Sequence, residues 1–128
     1  MNNSGKTLFK VLSALKIDIS QALLVYDELD VVLGKVSLSK KEEKKVSHRG
    51  VQDVIVNFPR RKILKLKVGI RPFSAKKIEI RSFVMEDFSS EELEKVLEIK
   101  STIFRIFQGF IDLSEKHMQN PLNYLKKI

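Results

Sequence analysis

The sequence has no cysteine and only two histidines in 128 residues. Disulfides and thiolate metal sites are therefore excluded, and two separated histidines do not make a closed zinc site. No apolar run approaches the roughly 20 residues that cross a bilayer, and no basic flank followed by an apolar stretch begins the chain. A glycine-rich phosphate loop and a Gly-x-Ser-x-Gly elbow are also missing. We therefore expect a cytoplasmic protein without a metal site.

Positive charge is in excess: 24 lysines and arginines stand against 16 aspartates and glutamates, a formal net charge of +8. This surplus favours polyanionic partners, nucleic acid before an anionic membrane, although a lysine-rich genome yields the same surplus without a function. Apolar residues make up 43% of the chain and charged residues 31%, which is typical of a globular protein. We expect one domain over residues 1–128, with no membrane association and no obligate protein partner.

Hydrophobic periodicity and chain-breaking residues divide the sequence into alternating helices and strands. The predicted elements are, in order, helix 4–17, strand 22–26, strand 35–40, helix 50–58, strand 63–70 and, behind a capping box of Ser89 and Glu92, a helix through Phe110 and a short one around 114–126. This order predicts an α/β fold, or an α+β one, with a mixed open sheet flanked by helices.

Three carboxylates follow directly on the first predicted strand. Ala22 to Tyr26 is an unbroken apolar run, typical of a strand buried on both faces, and Asp27, Glu28 and Asp30 come next. In open α/β sheets, catalytic groups collect beyond the carboxyl ends of the strands. An acid here is therefore a candidate for orienting a base or binding a metal, and the alternative is a turn or capping acid without a catalytic role.

A histidine lies in the loop that opens the helix at 50–58. His48 and Arg49 precede Gly50, and backbone N–H groups at a helix start attract anions, an effect that a neighbouring arginine strengthens. Histidine is also the usual general base near neutral pH. The alternative for His48 is a structural role, and His117 is predicted to have a surface or packing role in the last helix.

Basic residues cluster in the middle of the chain. Residues 40–47, Lys-Lys-Glu-Glu-Lys-Lys-Val-Ser, form a charged connection that is also consistent with a solvated loop. If Lys65 and Lys67 share one exposed strand face, that face is suited to phosphate contacts, which give affinity and salt dependence but no base specificity. The basic residues are Lys40, Lys41, Lys44, Lys45, Arg60, Arg61, Lys62, Lys65, Lys67, Lys76 and Lys77.

Four motifs, taken in order, resemble the bacterial-type peptidyl-tRNA hydrolase family. Residues 1–5 match its Met-Asn-x-Ser-Gly segment, and residues 27–34 match its Asp-Glu-Leu-Asp strand end followed by a glycine. Residues 48–50 match a His-Asn-Gly that opens a helix, and residues 65–72 resemble, in shortened form, a basic strand ending in a Gly-Ile-Gly-x-Pro-like turn. Residues 82–84, Ser-Phe-Val, and the C-terminal helices also fit, so the resemblance covers the whole chain.

The resemblance implies hydrolysis of the ester between a peptide and the 3′ end of tRNA, which recycles stalled peptidyl-tRNA without a metal or cofactor. In the family, a histidine acts as general base on water, and the carboxylate at the position of Asp27 orients it. The resemblance also places Asn2, His48 and Arg49 among the substrate-binding positions, with His48 matching a second, supporting histidine. The residues expected to bind tRNA phosphates are Lys40, Lys41, Lys65 and Lys67.

The chain also departs from the family pattern. The upstream Gly-Leu-Gly-Asn-Pro-Gly and Arg-His-Asn segments, with the catalytic histidine and an asparagine, have no match, so we expect a fold incomplete at its N-terminus and a chain inactive alone. The missing part would supply a central strand of the sheet. Without it, unpaired strand edges and an uncovered apolar core should cause poor solubility or association. Arg49 replaces the family asparagine, and the Lys-Lys-Glu-Glu-Lys-Lys-Val stretch replaces a glycine-rich loop with at least one more residue.

Three explanations of this pattern stay open. The sequence is an incomplete record of an ordinary hydrolase translated from an internal methionine, or a shortened relative that has lost catalysis. The third, from a different class, is a non-catalytic basic module that binds tRNA or other RNA.

Overall fold

The computed structural model describes residues 3–43, 45–72 and 87–115. Within these residues the chain forms four α-helices, three strands and one short 3-10 turn. In chain order they are α1 (Ser4–Leu15), the 3-10 turn (Ile19–Gln21), β1 (Leu23–Val32), β2 (Val36–Ser39), α2 (Arg49–Asn57), β3 (Leu64–Arg71), α3 (Ser90–Glu98) and α4 (Lys100–Glu115).

The three strands form one mixed sheet in the order β1-β3-β2, which confirms the predicted α/β fold with a mixed open sheet. Strand β3 lies in the centre, parallel to β1 and antiparallel to β2. The register pairs Leu24 with Lys65 and Tyr26 with Lys67 on the β1 side, and Ser37 with Lys67 on the β2 side. Because paired residues on adjacent strands face the same way, Tyr26 and Lys67 lie on one face of the sheet.

Alternation along β3 gives the sheet two different faces. Leu64 and Leu66 are buried against Ile106 of α4. Residue Ile63, just before β3, packs on the other side with Leu12 of α1 and other apolar residues of α1 and α2. The sequence pattern predicts Leu64 and Leu66 on one side of this strand and Ile63, Lys65 and Lys67 on the other, and this alternation is confirmed. Lys65 and Lys67 lie on the face that α1 and α2 cover.

Strand β1 is longer than the sequence predicted. It was expected to end at Tyr26, but the ladder to β3 continues through Asp27 and Glu28 before it becomes irregular, so the acids lie within the strand. Gly69 permits this, since a Cβ there would collide with the backbone carbonyl of Val32. The prediction that β1 is buried on both faces was wrong for Val25, which is 42% exposed.

The C-terminal part forms two helices where one was predicted as far as Phe110. The capping box of Ser89 and Glu92 is present at the start of α3, but α3 ends at Glu98 and α4 begins at Lys100. This break turns Leu97 toward solvent, while Ile106 remains buried. The short helix predicted around 114–126 overlaps the end of α4 and otherwise lies outside the described residues, as does the 82–84 segment.

Candidate active site

Asp27 of β1 and His48 at the start of α2 meet through a hydrogen bond. The Nε2 atom of His48 lies 3.1 Å from Oδ1 of Asp27. The Asp27 side chain is 49% exposed and the His48 side chain 19%. The ring of Tyr26 contacts the imidazole edge-on, with ring centroids 5.6 Å apart. Two residues that are 21 positions apart in the sequence are therefore brought together at the edge of the sheet.

His48 also caps helix α2. It is the N-cap residue, and its Nδ1 atom accepts a hydrogen bond from the backbone N–H of Val51 at 3.3 Å. A backbone N–H can only donate, so Nδ1 carries no hydrogen and the imidazole hydrogen lies on Nε2, from which it is donated to Asp27. Both ring nitrogens are therefore engaged, and neither is free to accept a proton from water.

The starts of α1 and α2 lie against each other beside this pair. The backbone N–H of Gly5 donates to Oδ2 of Asp53 at 2.7 Å, and a Cβ at Gly5 would collide with the backbone of α2. A Cβ at Gly50 would lie within 3.4 Å of both the His48 ring and the Ser4 hydroxyl oxygen. The Ser-Gly segment and the His-x-Gly segment thus converge because glycine allows two helices to approach closely.

Two other predicted substrate-binding residues are less informative. Arg49 is the first residue of α2; its side chain is exposed, and it makes no ion pair with the residues that the structure describes. Asn2 lies outside the described residues.

The lysines of β3 share a face, but the prediction that this face is exposed was wrong. Lys65 is only 2% exposed. The carboxylate of Glu43 covers both lysines, with Oε2 at 2.5 Å from Nζ of Lys65 and Oε1 at 3.0 Å from Nζ of Lys67. The connection at 40–47 is thus not simply solvated, because Glu43 of that segment folds over β3.

Charges and burial around Glu43 act in opposite directions. Burial disfavours its ionised form, but hydrogen bonds from Lys65 and Lys67 outweigh burial and hold the pKa of Glu43 below its ordinary value. Burial also disfavours the charged Lys67, but the hydrogen bond to Glu43 and nearby negative charges raise the pKa of Lys67 above its ordinary value. Glu28 contributes to this, with Oε2 at 3.6 Å from Nζ of Lys67.

The hydroxyl of Tyr26 is buried next to this charged cluster; it makes no hydrogen bond of regular geometry with the described residues, although Lys67 lies close enough to interact with it. Burial raises the pKa of Tyr26 to about 12, although the positive charge of Lys67 opposes the shift. A buried hydroxyl without a partner is costly, so it would gain a hydrogen bond if a ligand oxygen reached it.

A cavity of about 250 Å³ opens between α2 and the segment before it. Its apolar wall contains Leu24, Ile55 and Phe58, and the cations at its margin are Lys41, Arg60, Arg61 and Lys65. Of these, Lys41 and Arg60 are exposed and make no ion pair with another described residue, whereas Arg61 lies 3.6 Å from Asp18. Lys40, the other cation expected to bind tRNA, is half-buried.

Comparisons with known proteins identify the family of this chain. The sequence model of the family described as peptidyl-tRNA hydrolase matches residues 1–127. The chain is 32% identical over 124 residues to the peptidyl-tRNA hydrolase of Aquifex aeolicus, a match that covers 96% of this chain. It belongs to the peptidyl-tRNA hydrolase family.

Other members of the family are also similar to this chain over part of their length. The peptidyl-tRNA hydrolase of Sulfurihydrogenibium sp. is 39% identical over 101 residues, which covers 76% of this chain and 52% of that protein. The crystal structure of peptidyl-tRNA hydrolase from Acinetobacter baumannii superimposes on 98% of this chain with a TM-score of 0.75 at 20% sequence identity. The chain spans 63% of the length of the Aquifex protein and 61% of the Acinetobacter chain.

No cluster of three or more histidine, aspartate or glutamate side chains suited to a metal occurs in the described part of the chain. Among the helices that the structure describes, none is long and apolar enough to cross a membrane.

Sequence reasoning missed two carboxylates that contact the lysines of β3. Glu28 was treated as one of three acids after a strand, whereas the continued alternation of β1 buries it on the Lys67 face. Glu43 was treated as part of a charged connection, and nothing in the lysine-rich sequence separates it from Glu42, which is exposed. Only the fold shows which of these two adjacent glutamates contacts β3.

Proposed function

We propose that this chain carries the carboxylate–histidine site of a peptidyl-tRNA hydrolase, which cleaves the ester between a peptide and tRNA in the cytoplasm. The observation that supports this most directly is the geometry of Asp27. Oδ1 contacts His48, whereas Oδ2 has no hydrogen-bond partner among the described residues. The side chain is half-exposed, so another group can reach Oδ2. Such a carboxylate can orient a second group. In the family, the carboxylate at this position orients the histidine that acts as general base.

The general base in this proposal is not His48. Its Nδ1 atom accepts the Val51 N–H and its Nε2 hydrogen is donated to Asp27, so neither nitrogen can accept a proton without breaking a hydrogen bond. A carboxylate is too weak a base to deprotonate water at neutral pH. The base in this proposal is another histidine, held by Oδ2 of Asp27, which has no partner among the described residues, and we expect these 128 residues alone to turn over little or no substrate.

His48 then acts as a positioning residue for Asp27, and the cations bind the tRNA backbone. Lys40, Lys41, Lys65 and Lys67, on β3 or on the segment that covers it, would contact phosphates, while Arg49 and Asn2 are assigned to substrate binding. Phosphate contacts fix the position of the substrate without reading its sequence, which suits an enzyme that acts on many tRNAs. The proposal treats residues 1–128 as one domain and requires neither metal nor cofactor.

Peptide release from an N-acetylated aminoacyl-tRNA tests the proposal, with tRNA binding measured on the same preparation. We expect binding with little or no release from the 128-residue chain. A longer version carrying an upstream Arg-His-Asn segment should release peptide, and Asp27→Asn should abolish that release. Asp30→Asn is the matched control, because Asp30 is also exposed on β1 but does not contact His48. Equal loss in both variants, or release by the short chain that depends on His48, would contradict the assignment.

A non-catalytic RNA-binding module is the second candidate. The observation in its favour is the set of exposed cations Lys41, Arg49 and Arg60, which need no catalytic partner to bind phosphate. Binding without release in both the short and the longer chain would favour this function over hydrolysis.

A further inference from the structure

The carboxylate of Glu43 occupies the space between two ammonium groups. One oxygen lies 2.5 Å from Nζ of Lys65 and the other 3.0 Å from Nζ of Lys67. A phosphate group offers two oxygens in a similar arrangement, and lysine ammonium groups bind phosphate as point charges. Glu43 therefore occupies these lysines as a phosphate would.

The burial of Lys65 depends on the segment that carries Glu43. Its Nζ atom donates to the backbone carbonyl of Lys41 at 2.7 Å and to Glu43, and it has no hydrogen bond to a different segment among the described residues. Lys67 differs, because it also lies 3.6 Å from the buried Glu28. Moving residues 41–43 away would thus expose an unpaired ammonium at Lys65, whereas Lys67 would keep one carboxylate.

A third group completes the site. The charges of Lys67, Glu43 and Glu28 all act on the hydroxyl of Tyr26, and this buried hydroxyl has no hydrogen-bond partner among the described residues. It can donate to a further oxygen of a phosphate that replaces the Glu43 carboxylate. A phosphate at this position would then have two cations and one neutral donor.

We propose that Lys65, Lys67 and Tyr26 form a phosphate-binding site that Glu43 occupies in the free protein, and that a phosphate of the bound RNA replaces the Glu43 carboxylate. The inference rests on the proposed function, because it takes the RNA backbone as the ligand. Glu43 is an intramolecular competitor that lowers the affinity of the chain for RNA, and residues 41–43 move when RNA binds.

The covering segment is suited to exchange. Between the end of β2 and the start of α2, the described residues form no helix or strand. The Glu43 side chain is 26% exposed, so water and a polyanion reach it from outside. A polyanion that contacts Lys41 and Arg60 at the margin of the cavity would approach the same carboxylate and repel it.

Equilibrium binding of deacylated tRNA to the full chain tests the inference, with Glu43→Gln and Glu42→Gln compared at several salt concentrations. Both variants lose one negative charge, but Glu42 is exposed and does not contact Lys65 or Lys67. We expect Glu43→Gln to bind roughly three- to tenfold tighter, the effect of removing a part-exposed competing ion pair. The slope of its plot of log K against log salt should stay close to that of the unmodified chain, because the same phosphate is neutralised in both complexes. Glu42→Gln should change affinity by no more than about twofold.

Melting curves of both variants show whether the fold is kept, and Glu43→Asp gives a second test that keeps the charge on a shorter side chain. Tighter binding by Glu43→Asp with an unchanged fold would also support competition. Equal effects of Glu43→Gln and Glu42→Gln, or weaker binding by folded Glu43→Gln, would mean that Glu43 is a static structural ion pair. In that case the inference about Glu43 would fail, but tRNA binding by the unmodified chain would still agree with the proposed function. No RNA binding by any of the proteins would overturn both proposals.

Discussion

The Nε2 atom of His48 lies 3.1 Å from Oδ1 of Asp27, across the space between the start of α2 and the edge of β1. The same imidazole accepts the N–H of Val51 through Nδ1, so one side chain both caps a helix and holds a carboxylate. Because two atoms of the ring carry these two tasks, substitutions can separate them.

Replacement of His48 separates helix capping from the contact with Asp27. His48→Ala removes both, and we expect it to lower the free energy of unfolding by about 1 kcal/mol, as loss of an N-cap side chain does. His48→Asn keeps a good capping group but is too short to reach Asp27, so its stability should stay within about 0.5 kcal/mol of the unmodified chain. Urea unfolding measures both values. A loss as large in the asparagine variant would show that Asp27, not the cap, carries the stability.

The close approach of α1 and α2 gives a prediction at Gly5. A Cβ at this position would meet the backbone of Asp53 and Val54, which cannot yield as a flexible side chain would. Gly5→Ala should therefore lower the free energy of unfolding by about 1–3 kcal/mol, although alanine favours helix. Thr7→Ala on the exposed side of α1 is the control, with an expected change within about 0.5 kcal/mol. Similar urea midpoints for the two variants would contradict the observed packing.

The sequence predicted the elements well where periodicity and capping residues are local signals. Helix α1, helix α2 and the alternation along β3 were all placed within a few residues, because their apolar spacing reflects burial on one side. The end of β1 was missed because Asp27 and Glu28 look like the start of a turn. Their strand geometry comes from pairing with β3, some 40 positions later in the chain.

The candidate site was predictable as a set of residues but not as a set of contacts. Asp27 and His48 were predicted as site residues because their motifs match the family in order. Their hydrogen bond depends on the approach of α2 to β1, which the motifs do not show. The exposure of Lys65 could not be read from its type, because a lysine is buried only when a partner is supplied from elsewhere in the fold. Glu43, the partner, comes from a segment without regular structure.

The acid dependence of stability should report on Glu43. Its pKa is lower in the folded protein than its ordinary value of about 4.3, so its ion pairs stabilise the fold above that pH. This stabilisation is lost as the pH falls through the folded pKa. The difference in unfolding free energy between the unmodified chain and Glu43→Gln should therefore shrink below about pH 4, as measured by urea unfolding at a series of pH values. Glu42→Gln should show no such pH-dependent difference from the unmodified chain. If the two variants had the same pH profile, the ion pairs of Glu43 would not be the cause.

The alkaline dependence should report on Tyr26. Its pKa of about 12 in the folded protein lies above the ordinary value of about 10, so the protonated hydroxyl is favoured by folding. The contribution of the protonated Tyr26 hydroxyl to the free energy of unfolding is fully present below about pH 10. It is lost as the pH rises toward 12, by up to about 2 kcal/mol relative to Tyr26→Phe. At neutral pH the phenylalanine variant should be at least as stable, because the hydroxyl it removes is buried without a partner among the described residues. Parallel stability profiles of the two proteins from pH 8 to 12 would count against this buried hydroxyl.

Association of the 128-residue chain in solution is the last prediction. In the described sheet, β1 pairs only with β3, so its other edge has no strand partner among those residues, and Val25 beside that edge is 42% exposed. An unpaired edge with exposed apolar side chains recruits further strands. We expect light scattering to show oligomers, and Val25→Lys to reduce them because a charge beside an edge opposes pairing. Val56→Lys on the exposed surface of α2 makes the same change away from the edge and should have less effect. A monodisperse monomer with a cooperative melt would show that the edge of β1 is satisfied within a single chain.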